Sequence, residues 1–294
     1  MKKAFKNKPI IILLILAIVV AAFLPGCAES GFDQEESSTS RGVLEVNFLD
    51  VGQADCIFII FPEGRTMLVD AGNNDDAETV INYIRKKGVK RIDAVVATHP
   101  HEDHIGAMDD VIYNFDIGKV YMPRVTTTTK TFRDFLQALS DKNLKITPVK
   151  GGMTITLEED VDVRILAPNS TSYDELNNYS AVLKITYKNN SFILTGDAEK
   201  FSELEMLKKK YDLKADVLKV GHHGSSSSTS TEFLKSVSPR YAVISYAKDN
   251  DYGHPHREVL ERLRKYNVKV YTTAENGHIM MESDGNTIKV RTSR

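Results

Sequence analysis

Residues 42–294 of this sequence predict an α/β domain of two β-sheets packed face to face, with helices on the outside. Three observations predict it. Each half of the stretch opens with consecutive short apolar runs of strand length and then passes into strand–helix alternation, the pattern of sheets covered by helices. The composition, 41% hydrophobic and 27% charged, is that of a packed globular protein. A length of 294 residues leaves room for one sizeable domain with short extensions, and neither a strict repeat nor a second domain boundary interrupts it.

The first 26 residues stand apart from that domain. Lys2, Lys3, Lys6 and Lys8 make a positive segment, and Ile10 to Phe23 an apolar run of about fourteen residues. That is shorter than the roughly 20 residues of a membrane span and suits the core of a secretion signal. Leu24-Pro25-Gly26-Cys27 resembles the bacterial lipobox, whose Cys is diacylated and becomes the mature N-terminus. The expectation is therefore a signal peptide over 1–26, a lipid-anchored Cys27 and a Ser/Glu/Gly-rich tether over 27–41. An uncleaved membrane anchor is the alternative, and both readings place the domain outside the cytoplasm on a bacterial membrane. The chain has 2 cysteines. With Cys27 lipidated, Cys56 has no partner for a disulfide, and its apolar surroundings mark it as a buried, inert thiol.

Strands are expected at 43–49, 55–61 and 66–70, each a short apolar run. A helix follows at 76–87, opened by Asp75-Asp76 and closed by Gly88. A strand at 92–97 then runs straight into a group of histidines. In the second half, strands are expected at 161–166, 180–187, 191–195, 216–220, 240–245, 268–272 and 286–291. Helices are expected at 130–141, 199–210 and 256–266.

The chemistry concentrates in Thr98-His99-Pro100-His101-Glu102-Asp103-His104. His99 and His101 alternate by two and project the same way from extended backbone. Asp103 and His104 turn into the next helix and can face the same space from another side. Imidazole nitrogens with carboxylate oxygens suit zinc, and also manganese or iron. A polar loop with incidental histidines is the other reading, and so compact a set of ligand-type side chains argues against it.

Thr-His-x-His-x-Asp-His resembles the signature of the metallo-β-lactamase superfamily. Leu49-Asp50-Val51-Gly52-Gln53-Ala54-Asp55 and Leu68-Val69-Asp70-Ala71-Gly72 resemble the opening strands of its ComEC-type branch, found attached to the bacterial DNA-uptake channel and as free-standing proteins. Asn178-Tyr179-Ser180, Leu194-Thr195-Gly196-Asp197-Ala198, Leu218-Lys219-Val220-Gly221-His222-His223-Gly224-Ser225 and His254-Pro255-His256 extend the similarity over nearly all of 43–291.

The resemblance implies a four-layer αββα sandwich over 42–294 and two divalent ions, zinc first and manganese second. His99 and His101 would hold the first ion. Asp103, His104 and one of His222 or His223 would hold the second, with His222 preferred because it comes first after the strand at 216–220. Asp197 would bridge, its charge offsetting the repulsion of two dications about 3.5–4 Å apart. The superfamily supplies a third His to the first ion, and this chain has no His between His104 and His222. Asn177, Asn178 and Ser180 occupy that stretch as neutral, weaker ligands, and Asn178 and Ser180 could orient a water or phosphate oxygen, or only shape a turn. Asp70 is expected to buttress the His loop. Ser225 to Ser230 reads as a flexible loop, with Ser225 the best candidate for a substrate contact, and His223 would touch substrate or support a ligand. His254, held stiffly ahead of a helix by Pro255, is a candidate acid or anion-stabilising group, and Asp103 could orient the activated water.

The function implied is hydrolysis by a metal-activated water, with the ComEC-type branch favouring phosphodiesters or nucleic acid. Setting aside the four N-terminal lysines leaves 34 basic against 40 acidic residues, so a broad basic nucleic-acid surface is not expected. Lys219, Arg257 and Arg124 are the cations that could hold a short segment. The alternatives are a lipid-anchored binding protein with little turnover, or a hydrolase of another ester, a lipid headgroup or a lactone. The residues imply no protein partner.

Overall fold

A computed structural model describes residues 42–294; the expected signal peptide (1–26), the expected lipidated Cys27 and the expected tether (27–41) lie outside the described residues. Among the described residues no helix is long and apolar enough to cross a membrane.

The first half comprises β1 (Leu44–Phe48), β2 (Cys56–Ile60), β3 (Thr66–Ala71), α1 (Ala77–Lys86), β4 (Arg91–Val96), α2 (Glu102–Ile105), α3 (Met108–Asn114), β5 (Asp116–Pro123), α4 (Lys130–Asp141) and β6 (Ile146–Val149). The second comprises β7 (Val161–Ala167), β8 (Val182–Tyr187), β9 (Asn190–Leu194), α5 (Lys200–Lys208), β10 (Val217–Lys219), α6 (Thr231–Val237), β11 (Tyr241–Ile244), α7 (Arg257–Lys265), β12 (Lys269–Thr272), α8 (Thr273–Asn276), β13 (Ile279–Ser283) and β14 (Ile288–Thr292). One sheet runs β14-β13-β1-β2-β3-β4-β5-β6 and the other β12-β11-β10-β9-β8-β7. Each combines an antiparallel portion with parallel strands: β3 to β6 in the first sheet, β9 to β12 in the second.

Alternation along the strands builds the layers. Val46, Ile57, Ile59 and Val69 face Val163, Leu183, Ile185 and Phe192 in a core between the sheets. Phe58, Ile60 and Leu68 point the other way, onto Val80 and Ile84 of α1, Val111 of α3 and Phe135 of α4. Met206 of α5, Phe233 of α6 and Leu263 of α7 cover the outer face of the second sheet, against Ile193 and Leu218. With both faces covered, β2 and β3 are buried along their whole length, which is why they read as continuous apolar runs. The architecture is the four-layer αββα sandwich expected.

The helix expected at 130–141 coincides with α4. The short helix into which Asp103 and His104 are expected to turn is α2, whereas α3, β5, β6, α6, α8 and β13 have no signal in the apolar pattern. β5 contains Gly118, which reads as a breaker. There the strand passes so close to its neighbour that a Cβ would lie 2.3 Å from the Asp93 carbonyl oxygen, so only glycine fits.

Candidate metal centre

The parallel strands β4, β9, β10 and β11 end on one side of the sandwich, where ligand sites of α/β sheets form. From β4 the chain runs through Thr98 and His99 into α2, which carries His104. α2 is pressed against the loop after β3: Gly106 N–H donates to the Gly72 carbonyl (2.8 Å), and a Cβ on Gly106 would lie 2.1 Å from the Asn73 carbonyl carbon. Asp70, at the end of β3, accepts from Thr98 N (2.8 Å) and Thr98 Oγ1 (2.7 Å) and meets His104 Nδ1 at 2.8 Å. A carboxylate on Nδ1 fixes the ring and turns Nε2 to the other side.

There Nε2 finds Asp197, which follows β9. Each oxygen of this buried carboxylate faces a different pair of imidazoles. Oδ1 lies 3.3 Å from His104 Nε2 and 3.6 Å from His223 Nε2. Oδ2 lies 3.9 Å from His99 Nε2 and 3.8 Å from His222 Nε2. Asp103 Oδ2 reaches His223 Nε2 at 3.2 Å and His104 Nε2 at 3.7 Å, and His99 Nε2 stands 2.9 Å from His101 Nδ1. One ligand atom from each of Asp103, His104, Asp197 and His223 lies within 4.8 Å of the other three. His104 Nε2 and Asp197 Oδ1 are buried without a hydrogen-bond partner, an arrangement that costs stability unless something binds there. The donor set and its orphaned atoms fit a divalent cation.

The electrostatics point the same way. Burial would push the Asp197 carboxyl up, but His104 and His223 outweigh it and hold it well below the usual carboxylate range. Burial works against charge on His104 and His223 too, yet the facing carboxylates, Asp197 foremost, raise both. His99 is pushed well down, by burial and then by His104. The site thus concentrates the negative charge of Asp103 and Asp197 among imidazoles.

The preference for His222 over His223 beside Asp103 and His104 is reversed. His223 is buried and meets Asp103, and its Nδ1 is tied to the Ser245 carbonyl (2.9 Å). His222 stands on the Oδ2 side, its Nδ1 3.5 Å from Glu199 and 3.2 Å from Ser227 Oγ. Both histidines hold positive φ, 49° and 52°, and so leave the chain in different directions. Asn178 turns away from the cluster: it donates to Glu199 (3.2 Å) and accepts from Ser202 N (3.2 Å), which ties the turn before β8 to α5. Ser180 stays with the site, its Oγ 3.3 Å from His99 Nδ1 and accepting from Asp197 N (3.2 Å). Ser225 contacts Ser227 Oγ (3.0 Å) within the turn that carries His222.

The Ser225–Ser230 run is no flexible loop. Glu203 accepts from Thr229 N and Ser230 N, Ser228 donates to the Ala198 carbonyl, and Ser230 caps α6. Burial raises the Glu203 pKa. Lys219 is also corrected. It is fully buried, 2.8 Å from Asp55, and cannot reach a substrate. Arg257 is exposed and paired with Glu261 (2.7 Å), and Arg124 is exposed.

His254 borders the cluster, its ring centroid 5.5 Å from that of His222 and its Nδ1 3.3 Å from Gln53 Nε2. Asn250 pins its backbone at both N–H and carbonyl. Burial, then His222 and His223, lower its pKa to about 4, so the ring is neutral at pH 7 and offers a hydrogen bond rather than a charge. Asp55, Glu199 and Gln53 are not singled out by the sequence pattern. Asp55 and Gln53 do lie inside the motif after β1, and that position was the available signal.

The family model of the Metallo-beta-lactamase superfamily matches residues 49–248. ComE operon protein 3 of Bacillus subtilis (strain 168) is 33% identical over 252 residues, covering 80% of this chain and 32% of its own length. Recombination protein 2 of Haemophilus influenzae is 28% identical over 260 residues, 87% of this chain and 31% of its own length. The chain spans about a third of the length of these curated relatives. Among solved structures, CmlA, a diiron beta-hydroxylase from Streptomyces venezuelae, superposes with a TM-score of 0.53 at 15% identity, over 77% of this chain and 52% of its own. At that identity the likeness concerns the fold alone.

Proposed function

Because the chain belongs to the metallo-beta-lactamase superfamily, and as a hydrolase of that superfamily carries a metal-ready cluster at its strand ends, we propose that it cleaves phosphodiesters outside the cytoplasm, anchored through Cys27. The observation that carries this reading is the division of Asp197, whose Oδ1 and Oδ2 each face their own pair of imidazoles. A carboxylate presented that way suits two ions. Asp103, His104, Asp197 and His223 would hold one, and His99, His101 and the second Asp197 oxygen the other.

Two cations there, zinc or manganese, would supply an activated water at neutral pH and polarise a phosphoryl oxygen. The protein's own part is positional. Asp70 fixes His104, the Ser245 carbonyl fixes His223, and Ser180 joins His99 to the Asp197 backbone. With Gln53 donating to His254 Nδ1, the neutral ring carries its proton on Nε2, free to donate to a substrate oxygen. Among hydrolytic substrates, phosphodiesters are favoured by the relatives' printed names, which concern recombination and the ComE operon. The acidic balance of the chain limits the substrate to a short segment rather than an extended duplex.

The test is metal-reconstituted protein assayed on a bis-aryl phosphodiester, short single-stranded DNA and a β-lactam. Metal-dependent cleavage of the first two with negligible lactam turnover is expected. Rapid lactam cleavage with no phosphodiesterase activity would overturn the assignment and leave the fold untouched.

A further inference from the structure

Three near-parallel rings lead outward from the metal-ready cluster. The centroids of His223 and His254 are 6.4 Å apart with planes 21° from parallel, and His254 and Tyr252 repeat that angle at 5.6 Å. Exposure rises along the series from 1% at His223 to 8% at His254 and 69% at Tyr252, the most exposed large apolar side chain among the described residues. We propose that the Tyr252 ring is a stacking platform for a nucleobase of the substrate, one ring beyond His254. This rests on the phosphodiesterase reading above and narrows it to substrates that carry a base beside the bond cleaved.

A single exposed aromatic is ordinary on a protein surface; the segment that carries this one is not. Asn250 donates to the carbonyls of Ala247 (2.8 Å) and His254 (2.7 Å), and accepts from the N–H groups of Tyr252 (3.1 Å) and His254 (2.9 Å). Gln53, in the loop after β1, holds the same segment from the other sheet. Its Oε1 accepts from Ala247 N (3.2 Å) and its Nε2 lies 3.3 Å from His254 Nδ1. On the far side, His256 accepts from Ser226 N at Nδ1 (2.9 Å) and meets the Tyr252 carbonyl with Nε2 (3.3 Å). A backbone fixed from three directions loses little further freedom when a ligand docks, and a tyrosine has few rotatable bonds to freeze. The platform is built before substrate arrives.

The surroundings select a base over a phosphate. Asp249 and Asp251 stand within three residues of Tyr252, both exposed, and their charge repels a phosphate. Two of the three cations expected to hold substrate are also committed elsewhere: Lys219 is buried against Asp55, and Arg257 is paired with Glu261. Grip on an uncharged base makes up for that shortage. Stacking supplies it whatever the base, because every base has a π face.

Metal-loaded full-length protein should be assayed on thymidylyl-thymidine and on the same dinucleotide lacking its bases, by chromatography of the products. Wild type should prefer the base-bearing substrate by about 10- to 100-fold in kcat/KM, the worth of one stacked base, chiefly through KM. Tyr252→Ala should erase that preference with metal content by elemental analysis unmoved. Tyr252→Phe keeps the ring face and should retain it. The mononucleotide of 2-aminopurine, whose fluorescence falls when the base stacks, gives a reading independent of turnover. It should be quenched by wild type and Tyr252→Phe and not by Tyr252→Ala. No preference in wild type, a preference that survives in Tyr252→Ala, or quenching unchanged in that variant would each overturn the platform and leave the phosphodiesterase reading standing. A Tyr252→Ala protein impaired on glycerophosphocholine but not on the dinucleotide would give the ring to a cationic headgroup and overturn it equally. Wild-type protein that cleaves no phosphodiester would overturn that reading and this inference with it.

Discussion

At the scale of single residues, orientation decides what ligand identity cannot. The sequence offers eight histidines, and six of them (His99, His101, His104, His222, His223 and His254) gather around Asp197 and its neighbours. His254 differs from the others in standing beside the cluster, pinned by Asn250 and Gln53 rather than facing Asp197. His254→Ala should therefore lower phosphodiester turnover by about 10²-fold while metal content by elemental analysis stays near wild type. A parallel fall in metal content would make it a ligand instead. His278 is remote from this chemistry and has a structural role. Its Nδ1 accepts from Asp50 N (2.9 Å) and its ring meets Tyr83 edge-on. Burial pushes its pKa below the ordinary 6.5, with Arg294 and Lys86 acting the same way against Asp50. The unfolded chain then binds the proton more readily than the folded one, so stability rises with pH. The contribution is present above the unfolded value near 6.5 and is lost as pH falls toward the folded value. Urea denaturation of wild type and His278→Asn from about pH 7.5 to about pH 5 should show the wild-type advantage shrinking with acid, and an advantage constant over that range would refute the titration.

At the scale of elements, the site depends on how the two sheets are joined beneath it. Lys219 ends β10 in the second sheet, and Asp55 immediately precedes β2 in the first. Their buried pair at 2.8 Å crosses the sandwich just below His223, whose Nδ1 lies 3.7 Å from the same Asp55 oxygen. The ammonium also donates to the Val220 carbonyl (3.0 Å). Removing one partner of a buried pair strands the other, so Lys219→Met should cost about 3–5 kcal/mol in urea denaturation. Lys219→Met with Asp55→Asn should recover a large part of that, and a double variant no more stable than the single one would show that packing, not charge, sets the cost. The strand and helix pattern revealed where the ligands sit but not this pair. Lys219 follows an apolar strand directly, and a cation at a strand end reads equally well as a substrate contact. Residues 99–104 were readable because their spacing alone sets their geometry. The division between His222 and His223 was not, because it depends on two left-handed residues. The Ser225–Ser230 run was misread because its order comes from Glu203 on α5, a contact far along the chain. β13, which pairs with β1 and with the adjacent β14, escaped because its alternation of Ile279, Met281 and Ser283 inward is too short to stand out.

For the whole molecule, the proposed attachment to a membrane can be assigned to a particular segment. Residues 42–294 carry 33 basic and 36 acidic residues, so the net charge of the domain does not favour an anionic lipid surface. Among the described residues no helix could span a bilayer. The proposed anchor at Leu24-Pro25-Gly26-Cys27 would supply a hydrophobic attachment instead. One acyl chain gives only marginal, reversible binding, whereas two give stable attachment. Diacylation of Cys27 should therefore be both necessary and sufficient. Mass spectrometry of the native protein should find residues 1–26 removed and two fatty acyl chains on Cys27. Cys27→Ala should abolish both changes and leave either full-length precursor or protein that salt-free washing releases from membranes. Its phosphodiesterase activity in detergent should remain near wild type, because every residue of the site lies well after Cys27, from Gln53 onward. Mature wild-type protein that retains Met1 would replace the lipid anchor with an uncleaved apolar segment. A Cys27→Ala protein that stays on washed membranes after normal processing would place the attachment elsewhere in the chain.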